Sequence, residues 1–153
     1  MRKPHISMEA ERRFLVSAYP LNASVIGAFH QGYLFIVGPV EMRVRSGVEN
    51  SVAVKFAQGF GRRLEFETEV PKYIAKFLLL ITPWRLSKTR SVLHFDGQRW
   101  DIDIYNGNLE GVITAEAETV DFDTLVVPEW VAEEVTENPG WSNKSLARYG
   151  LPT

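Results

Sequence analysis

Charged and uncharged residues alternate along one short run, Met8-Glu9-Ala10-Glu11-Arg12-Arg13-Phe14-Leu15-Val16, and that alternation limits what the chain can become. In a strand, residues two apart share a face. Glu9, Glu11 and Arg13 therefore stand in a row on one side. The spacing recurs down the chain: Arg43 and Arg45, Lys55, Arg63 with Glu65 and Glu67, Lys88 and Arg90, Asp101 and Asp103, Glu116 and Glu118. Like charges crowded on one sheet face are destabilising unless opposite charges stand among them. The recurrence predicts a surface that holds metal cations and a polyanion together.

Composition narrows the class. The 153 residues suffice for one domain with a real core, spanning 1–153, and are too few for two ordinary ones. A formal net charge of -2, from 17 basic and 19 acidic residues, leaves no basic excess for nucleic acid or an anionic membrane. The absence of cysteine excludes disulfides and thiolate metal sites. That is compatible with a reducing cytosol, and a cytoplasmic location is the expectation. The longest apolar stretch, Phe77-Leu78-Leu79-Leu80-Ile81, is far short of the roughly 18 residues that span a bilayer. The start, Met1-Arg2-Lys3-Pro4-His5, is basic but has no apolar stretch before Glu9, so it does not read as a signal peptide.

Patterning predicts eight strands and few helices. Residues 5–17 form the first strand; Asn22 opens a short helix through Phe29. Strands follow over Gln31 to Val37, Val40 to Ser46, Ser51 to Gln58 and Arg62 to Val70, punctuated by Gly38-Pro39, Gly47 and Gly59-Phe60-Gly61. Pro71 suits the first turn of a helix over Tyr73 to Ile81, whose continuous apolar character reads as buried core packing, and Pro83 stops it. Three more strands run over Arg85 to Phe95, Gln98 to Tyr105 and Gly111 to Val120; Asp96-Gly97 is a hairpin signal. Helical segments around Trp130 to Val135 and over Asn143 to Tyr149 close the chain. Short turns favour antiparallel neighbours, hence a barrel or a strongly curved sheet.

Two arrangements accommodate this pattern. An open sheet would put its apolar face under a helix layer and its charged face in water. The density of Arg and of paired carboxylates favours the alternative, a hydrated channel with the charges inside and the apolar faces outside. Buried charges persist only when paired or neutralised by a ligand.

These residues resemble the CYTH domain, or triphosphate tunnel metalloenzyme superfamily, over Glu9 to about Ala147. Glu9-Ala10-Glu11-Arg12-Arg13 is similar to the family's Glu-x-Glu-x-Lys, with Arg13 in place of the lysine. Arg43-Val44-Arg45, Lys55, Arg63 to Glu67, Lys88-Thr89-Arg90, Asp101-Ile102-Asp103 and Glu116-Ala117-Glu118 follow in the family's order, and the tail resembles the short bacterial members. The resemblance implies an α+β, mainly β fold: an eight-stranded antiparallel barrel forming a tunnel, with a few short helices. It implies hydrolysis of a triphosphate, inorganic triphosphate first, with Mg²⁺ or Mn²⁺ as cofactor. A class IV adenylate cyclase or a thiamine or nucleoside triphosphatase is the alternative enzyme; a polyphosphate or nucleotide sensor is the alternative without catalysis.

By the same resemblance, Glu9, Glu11, Asp103, Glu116 and Glu118 would ligate metal, with Asp101, Glu65 and Glu67 as supporting candidates. Arg13, Arg43, Arg45, Lys55, Arg63, Lys88 and Arg90 would bind phosphate oxygens. Glu11, Lys55, Arg13 and Tyr33 are the catalytic candidates, Tyr33 being the tyrosine that would face position 13. The expected partner is a small triphosphate, and a homodimer is left open. Each residue also has a plainer role. Glu9 and Glu11 could form a salt lattice with Arg43 and Arg45, Lys55 could snorkel to solvent, and Asp101 could pair with Arg99. Arg63, Glu65 and Glu67 divide between tunnel wall and ladder pairing. His94 reads as a polar strand residue, and Trp100 as wall or core.

Overall fold

The computed structural model describes residues 3–153; Met1 and Arg2, part of the basic start, lie outside the described residues. The strands are β1 (His5–Val16), β2 (Ser24–Val37), β3 (Val40–Gly47), β4 (Ser51–Gly59), β5 (Arg62–Glu69), β6 (Trp84–Phe95), β7 (Gln98–Tyr105), β8 (Ile113–Glu118) and β9 (Val131–Glu134). Helix α1 (Lys72–Ile81) follows β5, and α2 (Asn143–Tyr149) ends the chain.

Eight strands close on themselves in the order β1, β5, β4, β3, β2, β6, β7, β8 and back to β1, every neighbour antiparallel. Closure depends on β1, whose 12 residues serve two partners. Its first half pairs with β5, Glu9 opposite Arg63, and its second half with β8, Glu11 opposite Glu118. A closed barrel leaves no unpaired edge.

The charged faces point inward. Arg13, Arg43, Arg45, Lys55, Glu65, Lys88 and Asp103 are each at most 9% exposed. The outer faces carry apolar residues, with Ile6 67% and Val37 67% exposed. The channel arrangement is the one the chain adopts, and Lys55 lies inside it rather than snorkelling outward.

Apolar packing then occurs in two places other than the barrel centre. Phe14, Trp100, Ile102, Ala115 and Ala117 form a cluster on the outer side of β1, β7 and β8, covered by Tyr19, Leu125 and Trp130. Trp100 is thus wall packing. A second cluster, Leu86, Tyr105, Leu109, Val112 and Leu146, fixes α2 against β6 and the end of β7. Ser142 caps α2 by accepting from Ser145 N, and Gly150 at φ 77° ends it.

Several expected elements differ. No helix occupies Asn22 to Phe29; β2 begins at Ser24, its β-branched Val25 pairs with Ser91 of β6, and a bulge at Gly27 continues the ladder. Trp130 to Val135 is likewise not helical: β9 lies beside β1, Phe14 opposite Glu134, a ninth strand outside the barrel's eight. The strand expected over Gly111 to Val120 is shorter, Ile113–Glu118. The helix read as buried core is α1, but it packs across β3 and β2 by one face only. Ala75 is buried, whereas Phe77 is 58%, Leu80 74% and Ile81 57% exposed. A surface helix has one inward face, whatever its outward residues are.

Two turns need special backbone. Asp96 (φ 52°) and Gly97 (φ 73°) make the expected two-residue hairpin. Gly61 (φ 70°) brings its carbonyl to 3.0 Å from Glu11 N, and a Cβ there would lie 2.1 Å from Glu11 O. Gly61→Ala should destabilise the fold by about 1–3 kcal/mol through clash and left-handed strain, read as a lowered urea midpoint. An unchanged midpoint would contradict this packing.

Candidate active site

The barrel sorts charge by strand. Carboxylates project from β1, β8 and β7: Glu11 stands opposite Glu118, and Glu116 lies between Arg13 of β1 and Asp101 of β7. Cations come from the far side, Arg43 and Arg45 on β3, Lys55 on β4 and Arg90 on β6. Between them lies a cavity of about 640 Å³, lined by Glu9, Glu11, Glu116 and Glu118 on one side and these four cations on another. Glu65, Glu67, Asp101, Arg13, Arg63 and Tyr33 complete the expected residues on its wall.

Without a ligand, the walls neutralise themselves. Arg63 donates to Glu9 at 3.0 Å and to both oxygens of Glu11 at 2.8 and 2.9 Å. The salt lattice of Glu9 and Glu11 is therefore made with Arg63, the cross-strand neighbour of Glu9, and not with Arg43 or Arg45. Arg43 holds Glu67 at 2.7 Å, Arg45 holds Glu49 at 2.7 Å, and Lys55 holds Glu65 at 2.7 Å. Asp101 takes up both plainer and inner roles, with Arg99 at 2.9 Å and Arg90 at 3.3 Å.

Asp103 and Lys88 lie deeper, outside the cavity lining. Lys88 Nζ donates to Asp103 Oδ2 at 2.8 Å, and Arg90 Nε donates to Oδ1 at 2.8 Å. Both side chains are fully buried. Asp103 thus anchors Arg90 toward the cavity. His94 is exposed near the β6–β7 turn.

Position 13 has an unexpected neighbour. Arg13 Nη2 donates to Tyr105 Oη at 2.6 Å and to Asn143 Oδ1 at 2.9 Å, while Nη1 stands 2.9 Å from Glu116. The facing tyrosine is Tyr105, not Tyr33, whose hydroxyl accepts from Gln31 instead. Tyr105 shares the alternation of Asp101 and Asp103, so parity pointed to it. Asn143 had no such signal: it arrives from α2, folded back by the distant C-terminal cluster.

The field of the site is uneven. Burial disfavours charge on Glu11, but Arg63, Lys55 and Arg13 outweigh it and hold its carboxyl down at about 2. Glu118 is pushed up by burial and then by Glu11, and Glu9 is raised by burial. Burial, then Arg43 and Arg63, lowers the Lys55 ammonium to about 8. Burial lowers Lys88 to about 7 despite Asp103. Arg13, Arg43 and Arg45 each keep a buried Nε with no hydrogen-bond partner among the described residues.

The carboxylate wall suits a hard divalent ion, because every candidate donor is oxygen. Among the described residues no three acidic or histidine side chains converge into a ready cage.

A closed antiparallel tunnel with an acidic wall facing a basic one is the architecture the sequence resemblance implied, that of the triphosphate tunnel proteins. No family model matches the chain. Among known proteins, the inorganic triphosphatase of Acetivibrio thermocellus is 31% identical over 145 residues, covering 92% of this chain and 93% of the relative. That of Nitrosomonas europaea is 33% identical over 146 residues, covering 91% and 96%. A solved inorganic triphosphatase superposes with a TM-score of 0.68 at 31% identity, over 91% of this chain and 93% of the other. The chain belongs to the family of these inorganic triphosphatases, within the CYTH or triphosphate tunnel superfamily.

The repulsion at Glu118 gives a pH prediction. Its folded pKa lies above the ordinary 4.5, so its charge costs stability at neutral pH, and the cost disappears as pH falls through the raised value toward 4.5. In the absence of divalent ions, Glu118→Gln should raise the melting temperature at pH 7 and bring it closer to wild type near pH 4.5. Melting curves at both pH values check this; an equal difference at both would refute it.

Proposed function

We propose that this protein hydrolyses inorganic triphosphate inside the tunnel, assisted by Mg²⁺ or Mn²⁺. The observation that carries the reading is the group of cations, Arg43, Arg45, Lys55 and Arg90, lining one cavity with the carboxylates Glu9, Glu11, Glu116 and Glu118. Guanidiniums are suited to phosphate oxygens. The relatives' names agree with triphosphate as the ligand.

Cleaving a phosphoanhydride chiefly needs positioning and charge neutralisation. Arg43, Arg45, Lys55 and Arg90 would take the phosphate oxygens along the basic wall. Glu9, Glu11, Glu116 and Glu118 would hold the divalent ions, with Asp101, Glu65 and Glu67 supporting them. A bound ion would supply charge neutralisation and make a water more acidic. Tyr105, Asn143 and Glu116 fix the Arg13 fork, which stays protonated and so acts by binding, not as a base. Water attacks the terminal phosphorus, the bond to the bridging oxygen breaks, and pyrophosphate and phosphate leave. The proton of the attacking water passes to solvent water through the open mouth of the cavity, while Lys55, held by Glu65, would bind phosphate as a cation.

Phosphate release from inorganic triphosphate, ATP and thiamine triphosphate, with Mg²⁺, with Mn²⁺ and with chelator, tests the reading. Inorganic triphosphate should be turned over fastest, and chelator should abolish the reaction. Glu116→Gln should remove turnover by about a hundredfold or more while the protein stays folded by circular dichroism. Full turnover in chelator, or in Glu116→Gln, would overturn the metal assignment. Stabilisation by triphosphate without any release would mark a sensor.

A further inference from the structure

A second cavity, of about 620 Å³, lies against β2 and β6, apart from the tunnel cavity. Three segments wall it: the end of α1 at Leu79, a single 3₁₀ turn over Gly107–Leu109, and α2 from Leu146 to Gly150. The turn is held to β6 by Asn106 N, which donates to Ser87 O at 3.0 Å. Leu86, Leu109 and Leu146, all buried, make the floor. The two cavities share no lining residue, although α2 borders both: Asn143 and Lys144 line the tunnel, and Leu146 to Gly150 line the second space.

Its charge is of one sign. Arg85 and Arg148 line it together with His30, and no aspartate or glutamate does. In the tunnel, by contrast, Arg43, Arg45 and Lys55 each hold a carboxylate. Arg85 has no hydrogen bond or ion pair among the described residues. Arg148 makes no ion pair among them either; its guanidinium stacks over the ring of Trp84 at 4.6 Å and that of Tyr149 at 5.1 Å. Stacking occupies the faces of a guanidinium and leaves its N–H edges to an anion. Ser87 Oγ, hydrogen-bonded to His30 Nδ1, borders the same space. The side-chain amides of Asn106 and Asn108, also on the wall, have no hydrogen-bond partner among the described residues.

We propose that this cavity binds a nucleotide, its phosphate on Arg85 and Arg148 and its base over the leucine floor. Two guanidiniums with free N–H edges suit a phosphate monoester, which offers several charged acceptor oxygens. The rest of the lining suits a flat ring. Leu79, Leu86, Leu109 and Leu146 give it apolar cover, and Tyr149 offers a face for stacking. The amides of Asn106 and Asn108 supply both donors and acceptors for the polar edge of a base. Inorganic phosphate would leave the apolar part of the cavity unused, and a sugar phosphate would bring hydroxyls against leucine without partners. The volume falls within the roughly 300–1,000 Å³ typical of small-molecule sites, which are mostly apolar with a few placed polar groups. With no carboxylate in the lining, binding needs no divalent ion, so the nucleotide should bind in chelator.

Amide NMR titration of the full chain with AMP, in chelator, tests the proposal. Shifts should gather at Arg85 to Ser87, Asn106 to Leu109 and Leu146 to Gly150, and should saturate. Adenosine, ribose 5-phosphate and inorganic phosphate should each bind about tenfold more weakly or worse. Arg85→Glu should weaken AMP binding by about tenfold or more and leave triphosphate turnover per chain at the wild-type value. Arg148→Ala should weaken AMP binding as well, so misfolding of either variant leaves the other to decide. Absence of shifts up to about 10 mM AMP would overturn the proposal. So would shifts gathered instead at Gly59 and Gly61 on the tunnel cavity, AMP binding that survives both folded variants, or either phosphate compound binding as tightly as AMP.

Discussion

Closure of the sheet with its charged face inward is the constraint on which everything else rests. In an open sheet, the carboxylates of β1, β7 and β8 and the cations of β3, β4 and β6 would be screened by solvent and independent of one another. Rolled into a barrel, the same side chains face each other across a narrow space of weaker screening, where each needs an opposite charge or a ligand. Arg63 on Glu9 and Glu11, Lys55 on Glu65 and Arg43 on Glu67 answer that need in the free protein. The cost of the arrangement is visible at Glu118, whose charge is opposed by burial and by Glu11 across the ladder.

Moving charge to the centre displaces the apolar core to the periphery. The Phe14–Trp100 cluster seals β1, β7 and β8 from outside, and the Leu86–Leu146 cluster fixes α2. Those two clusters also aim the site. Through α2 the second delivers Asn143 to Arg13 and Tyr105, so a residue near the end of the chain orients a guanidinium near its beginning. The buried Lys88–Asp103 pair does the same for Arg90 from behind. Lys88 and Asp103 thus steady the charged wall without lining the cavity themselves.

Much of this was legible because period-two alternation is local. Glu9/Glu11, Arg43/Arg45 and Asp101/Asp103 announce a common face without knowledge of the fold, and Asp96-Gly97 announces its turn. What was not legible depends on pairing between distant segments. Ser24 to Phe29 reads as a capped helix until β6 offers it a ladder, and Val131–Glu134 becomes a strand only because β1 runs on past its pairing with β5, which ends at Ala10. Tyr105 and Tyr33 both lie on inward faces, and only the packing of α2 decides which meets Arg13. The α1 helix is the reverse case: Phe77 to Ile81 is a continuous apolar run, yet Phe77, Leu80 and Ile81 face outward once the helix lies along the barrel.

The central claim is that a polyanion and divalent cations together cancel the charges of the tunnel, each making room for the other. Thermal melting with a non-hydrolysable imido analogue of triphosphate, with Mg²⁺, and with both measures this directly. The account predicts a rise in melting temperature with both present that exceeds the sum of the separate rises, because the cation neutralises the acidic wall and bridges it to the anion. Rises that merely add, or no rise with the pair, would contradict it.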